Sequence, residues 1–178
     1  MKAVMISIKP KWCEMIASGK KIIEVRKTKP KLDVPFKVYI YCTKGPLYLN
    51  RHNGIFYLES KDILGGRGCG VYKRLNGLVI GEFICDAVVV DRTYGHDPLF
   101  RAAACMNQVE AASYCLNAQM YGWHISDLKI YDEPKPLGEF KQCHKCEYYS
   151  NCYKHEYSCN GVYSLTRPPQ SWCYVEEA

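Results

Sequence analysis

Apolar and polar positions alternate over several short stretches of this chain and follow a helical period over few. Residues 3–8 are mostly apolar and read as a first strand. Pro10 suits the first position of a helix, where its missing N–H costs nothing. Trp12, Met15 and Ile16 then fall at i, i+3 and i+4, predicting a helix over 10–18 that Gly19 stops. In 21–27 Ile23 and Val25 point one way and Glu24 and Arg26 the other, as on a strand. Residues 36–42 alternate as a third strand. Weak periodicity and many glycines mark 43–78 as an insertion with one or two short strands or turns. Apolar runs within 78–92 predict one bent strand or two. The alanine-rich stretch 100–121 reads as a helix and 123–131 as a strand that Pro134 and Pro136 end. A last short strand is expected near 161–165. Many short strands with two helices predict a mixed β-barrel of the α+β class.

Length and composition narrow the class. A chain of 178 residues suits one domain with a small appendage, and 48% hydrophobic residues are enough for a core. No apolar run is long enough to span a membrane, and the first residues lack the apolar stretch of a secretion signal, so a cytoplasmic protein is the expectation. The cysteine count of 11 is odd, which argues against a disulfide framework. Cys42, Cys85 and Cys115 sit in apolar surroundings and read as small core residues.

The net charge of +6 is local. Residues 1–31 carry nine Lys and Arg against two acids, Glu14 and Glu24, so the rest of the chain is close to neutral. A basic face of this kind attracts polyanions.

The order Ser7-Ile8-Lys9-Pro10, then Ile16-Ala17-Ser18-Gly19-Lys20-Lys21-Ile22-Ile23-Glu24-Val25-Arg26, resembles the opening of ASCH domains: strand, short helix, Gly-x-Lys turn, and a strand carrying Glu-x-Arg. Gly81-Glu82-Phe83 resembles the family's middle strand, residues 123–136 its later strand and exit, and 167–175 a closing segment. The likeness spans roughly 3–42 and 78–140 and leaves 43–78 outside the common core. It implies a PUA-like barrel, of about 5–7 short strands, with a cleft between barrel and helices that takes RNA or a modified base. In such a cleft Lys9, Lys21 and Arg26 would contact phosphate, with Glu24 beside them. Trp12, Tyr41 or Trp123 would stack a base.

Glu82 lies on an apolar strand, where burial disfavours its charge unless a cation pairs with it, and Lys21 is the candidate partner for acid/base work. One ASCH-like branch removes an acyl group from acetylated cytidine, using a Lys, a Thr and a Glu. Lys21 and Glu82 match two of these positions. The third is Glu24, which cannot replace a hydroxyl nucleophile. Other relatives are associated with RNA cleavage, but His52, His96 and His124 are isolated along the chain. The run Gly65-Gly66-Arg67-Gly68-Cys69-Gly70 lacks the Gly-Lys-Ser/Thr of a phosphate loop and reads as a loop of the insertion.

Cys143, Cys146, Cys152 and Cys159 are four thiols in 17 residues and suit a tetrahedral metal site, with zinc as the default and an iron–sulfur cluster as the alternative. So short and polar a segment needs a staple to stay ordered. The expected organisation is a barrel over 1–140 with its insertion, a metal knob over 141–160, and a closing strand and tail over 161–178. Three functions remain open: a module that binds RNA or a modified nucleoside, an amidohydrolase or ribonuclease using Lys21 and Glu82, and a protein-interaction adaptor.

Overall fold

The computed structural model describes residues 2–60, 73–116, 118–143 and 162–177. In chain order the strands are β1 (Lys2–Ile8), β2 (Ile23–Arg26), β3 (Phe36–Cys42), β4 (Leu47–His52), β5 (Ile55–Ser60), β6 (Lys73–Arg74), β7 (Leu78–Cys85), β8 (Val88–Asp91), β9 (Met120–His124), β10 (Ser126–Pro136), β11 (Lys141–Cys143), β12 (Val162–Ser164) and β13 (Trp172–Glu176). The helices are α1 (Pro10–Ala17), α2 (Pro98–Ala103) and α3 (Gln108–Cys115).

The apolar run of β1 is explained by its place. It is buried on both faces from Ala3 to Ile8. It lies inside a five-stranded sheet of order β10-β7-β3-β1-β13, parallel to β3 and antiparallel to β13. One face carries Val4, Ile6, Ile8, Val38, Ile40 and Phe83, which pack with Cys13 and Ile16 of α1 and with Trp123. The other carries Met5, Tyr39, Tyr41, Val79 and Val175, closed by Phe140 and Leu165. A three-stranded sheet, β2-β9-β8, sets Ile23, Val25 and Met120 against Phe100 and Ala104 in and after α2 and Cys115 of α3. These two sheets surround a common core without a continuous ladder, so the PUA-like barrel is an open one. Cys42, Cys85 and Cys115 are buried as expected.

Three elements depart from the sequence reading. The helix expected over 100–121 is two helices. Asp97 caps α2 by accepting from the Leu99 and Phe100 N–H groups. Cys105 then takes the left-handed conformation, φ 55°, and Asn107 with Glu110 forms a capping box that starts α3. The strand expected over 123–131 is divided between β9 and β10, and β10 runs past Pro134 to end at Pro136; it is the outer strand, where proline need not donate to a neighbour. The insertion holds a sheet of order β5-β4-β6. Its hairpin turns on Asn53-Gly54, both at positive φ, the pair that a tight two-residue turn requires. Leu49 and Leu75 carry the insertion into the main core.

Candidate nucleic-acid interface

A cleft of about 250 Å³ opens between the end of β1, the start of α1, β2 and the turn from α2 to α3. Its walls include Lys9, Trp12, Lys21, Glu24, Arg26 and Tyr114. Five residues singled out in the sequence, Lys9, Trp12, Lys21, Glu24 and Arg26, therefore meet in one place.

Its floor is charged and nearly dry. Lys21 is 3% exposed and Glu24 4%. Lys21 Nζ donates to the Ala104 carbonyl at 2.7 Å and stands 3.6 Å from Glu24 Oε2. Arg26 Nη2 donates to the Ser7 carbonyl at 2.7 Å and lies 3.0 Å from Glu24 Oε1. Glu24 Oε2 and Arg26 Nε are buried without a hydrogen-bond partner. Two cations thus face one carboxylate, and the floor keeps an excess of positive charge in a medium where charge is expensive to strand. Burial lowers the Lys21 pKa from its usual value, while Glu24 pulls it back up. Burial likewise raises that of Tyr114, whose hydroxyl donates to the Val25 carbonyl at 3.2 Å.

Trp12 stands at the wall with Lys11 Nζ 4.4 Å and Lys21 Nζ 5.0 Å from its ring centre. Lys11 also pairs with Glu110 and so ties α1 to α3 across the cleft; that bond holds the Glu110 carboxyl below its usual range.

Other residues singled out in the sequence lie elsewhere. Glu82 does not meet Lys21. It alternates with Phe83 on β7 and so points to the face of the five-stranded sheet away from α1, opposite Tyr39 in register. There it accepts from the Tyr131 hydroxyl at 2.5 Å and stands 3.9 Å from Lys37 Nζ. Burial, then the Glu82 carboxylate, raises the Tyr131 pKa far above normal. Tyr41 and Trp123 are core residues, 4% and 0% exposed, and are not placed to stack a base. Trp123 packs edge-on between Phe36 and Trp172, with ring centres 5.8 and 5.9 Å away. His124 faces Asp86 at 2.6 Å on the surface.

The sequence reading missed Thr43, Met106, Tyr114 and Gln170 in the cleft wall, and the Ala104 carbonyl in its floor. The capping signals at Asp97 and Asn107 would have located the turn that supplies Ala104 and Met106. Of the four cysteines, only the backbone of Cys143 falls among the described residues; Cys146, Cys152, Cys159 and the glycine run at 65–70 lie outside them. Among the described residues no cluster of His, Cys, Asp and Glu is arranged to hold a metal, and no helix is long and apolar enough to cross a membrane.

An open, helix-flanked mixed barrel with a basic cleft defines the structural class. The fold is that of ASCH proteins. The ASCH protein of Zymomonas mobilis superposes with a TM-score of 0.60 at 17% identity, covering 98% of this chain and 88% of that one. A serine-to-alanine variant of that protein matches at 0.60 and 16%, over 98% and 89%, and a tyrosine-to-phenylalanine variant at 0.56 and 17%, over 99% and 92%. No family model and no curated protein matches the sequence.

Proposed function

We propose that the cleft binds nucleic acid, RNA above all, by receiving a base or modified base beside Trp12 and holding its backbone through the basic residues around the mouth. One observation carries this reading: a buried floor with two cations, Lys21 and Arg26, against the single carboxylate of Glu24. Such a floor attracts a polyanion and supplies both donors and an acceptor to a base edge. Trp12 offers the apolar plane that a base stacks on. Lys9, exposed at the rim, is placed to meet a phosphate.

An enzyme built on Lys21 and Glu82 would need them within reach of one substrate, and they lie on separate surfaces. Acid/base chemistry in this cleft falls instead to Lys21 and Glu24.

The test is a titration against short RNA, the same sequence as DNA, and a panel of modified nucleosides, with product analysis of each sample. Saturable, salt-dependent binding that Lys21→Ala weakens supports the reading. Affinity that Lys21→Ala leaves unchanged at every salt concentration removes the cleft from the binding surface. Product formation would make the protein an enzyme and Glu24→Gln the next variant.

A further inference from the structure

The insertion carries a second hollow, of about 240 Å³, lined by Lys44, Gly45, Tyr48, Arg74 and Asn76. Thr43, which lines the cleft, is followed directly by Lys44, which lines the hollow. Asn76 Nδ2 donates to the Thr43 carbonyl at 3.1 Å and to the Leu47 carbonyl at 2.9 Å, so one hydrogen-bonded wall serves both.

The lysines and arginines of the insertion that fall among the described residues divide into two sets. Arg51 lies 3.2 Å from Asp132 Oδ1, and Lys73 pairs with Glu133; both acids come from β10 and neutralise that side. Lys44 and Arg74 border the other side, are exposed, and have no acidic partner among the described residues. Arg74 is held in place. The Arg74 guanidinium lies over the Tyr48 ring, 4.4 Å from its centre, which fixes its plane and leaves its N–H edges to donate. The Lys44 stem passes Gly77, where an added Cβ would come within 3.0 Å of Lys44 Cε, and Gly77 has a φ of +85°, which a larger residue rarely adopts.

We infer that Lys44 and Arg74 form a phosphodiester-binding subsite continuous with the cleft, so that the ligand is a single-stranded polynucleotide rather than a free nucleoside. This rests on the cleft receiving a base, as proposed above. A chain with one base at Trp12 would run past Thr43 and lay its next phosphates against Lys44 and Arg74. The planar guanidinium suits a phosphate, to which it donates two parallel hydrogen bonds.

The deciding experiment measures the affinity of the wild type and of Lys44→Ala with Arg74→Ala for a nucleoside monophosphate and for short single-stranded RNA and DNA, over a range of salt. Both side chains are exposed, and unchanged thermal unfolding of the double variant checks the fold. The expected result is a loss of about tenfold in oligonucleotide affinity, a salt slope shallower by about 1.4, and unchanged affinity for the monophosphate. Arg74→Lys, which keeps the charge and loses the fork, should recover only part. Equal losses for RNA and DNA would place the recognition on the phosphates, and a loss for RNA alone on ribose as well. Unchanged oligonucleotide affinity and slope in the double variant, with wild-type binding intact, overturns the subsite and leaves the cleft standing. Wild-type protein that binds neither ligand class overturns the cleft reading itself, and the subsite with it.

Discussion

Lys21 and Glu24 face each other at 3.6 Å across the floor of the cleft, both almost wholly buried, and Arg26 completes a row of alternating charge. The end of this row and its middle differ. Removing the lysine leaves Glu24 paired with Arg26. Neutralising the glutamate leaves buried Lys21 and the mostly buried Arg26 with no carboxylate between them. Glu24→Gln is therefore expected to destabilise the fold by about 3–5 kcal/mol, the cost of stranding buried charge, and Lys21→Met by clearly less. Urea unfolding of the two variants checks the order. Equal losses would mean that Lys21 and Arg26 do not share Glu24.

The buried lysine also has a pH signature. Its folded pKa is lowered, first by burial, from an ordinary value of 10.5. Between the lowered value and 10.5 the unfolded chain holds a proton there that the folded protein has released. Stability contributed by this group rises with pH across that window and is lowest below it. The measurement is the difference in unfolding free energy between wild type and Lys21→Met. It should move in favour of the wild type as pH climbs towards 10.5; a flat difference would mean that Lys21 titrates as an exposed lysine does.

The buried thiols act in the opposite sense. Burial, then the neighbouring Asp86, pushes the Cys85 thiol up to about 12. Burial and the Cys42 thiol beside it push Cys13 well up too. An unfolded cysteine ionises near 9.0. Stability from Cys85 is thus complete below that pH and is lost as pH rises towards about 12. Cys85→Ala should lose less stability over this interval than the wild type, read by denaturant unfolding. In native protein Cys13 and Cys85 should resist alkylation while the less buried Cys105 reacts.

What could be read in advance follows from how local each signal is. β1, α1 and β2 are set by alternation, by Pro10 and by Gly19 within a few residues of one another, and they bring Lys9, Trp12, Lys21, Glu24 and Arg26 to one cleft. The rest of that cleft is distant in sequence: the carbonyl that Lys21 binds belongs to Ala104, 83 residues away. Glu82 shows the limit of a period-two argument. Alternation established that it opposes Phe83, but not which face of the sheet α1 covers. Trp123 and Tyr41 are large aromatics with polar atoms, and nothing in their own neighbourhood separates a stacking platform from a core residue. Other features were written locally and passed over: Asn53-Gly54 specifies a hairpin, and Asn107 with Glu110 specifies a helix start.

The four-cysteine segment invites a direct assay. β11 and β12 pair with Cys143 opposite Val162, and β11 lies against β13. One zinc per chain is the expected content, by elemental analysis of protein purified without chelator, and Cys146→Ser should lose it. Visible absorption with iron and sulfide in its place would assign a cluster instead. Because β13 pairs with β1, metal removal should also lower the midpoint of thermal unfolding, an effect absent if the segment carries no metal.

Two of the three tryptophans, Trp12 and Trp123, separate stacking from packing. Trp12 lines the cleft beside Lys21, whereas Trp123 is enclosed by Phe36 and Trp172. A base entering the cleft would quench the first and leave the second untouched. Trp12→Phe should therefore abolish most of the fluorescence change on adding RNA with little change in stability, and weaken binding by less than the loss of about 1–3 kcal/mol that replacing a stacking aromatic by alanine costs, since phenylalanine keeps a smaller stacking face. Trp123→Ala should cost about 3–5 kcal/mol of stability through the cavity it leaves in the core. The milder Trp123→Phe should stay folded and keep the RNA-dependent signal. A signal that survives Trp12→Phe and vanishes in Trp123→Phe would reverse the assignment: base binding would then be sensed through the core, by a movement of β9 against β2, and the stacking partner would have to be sought away from α1.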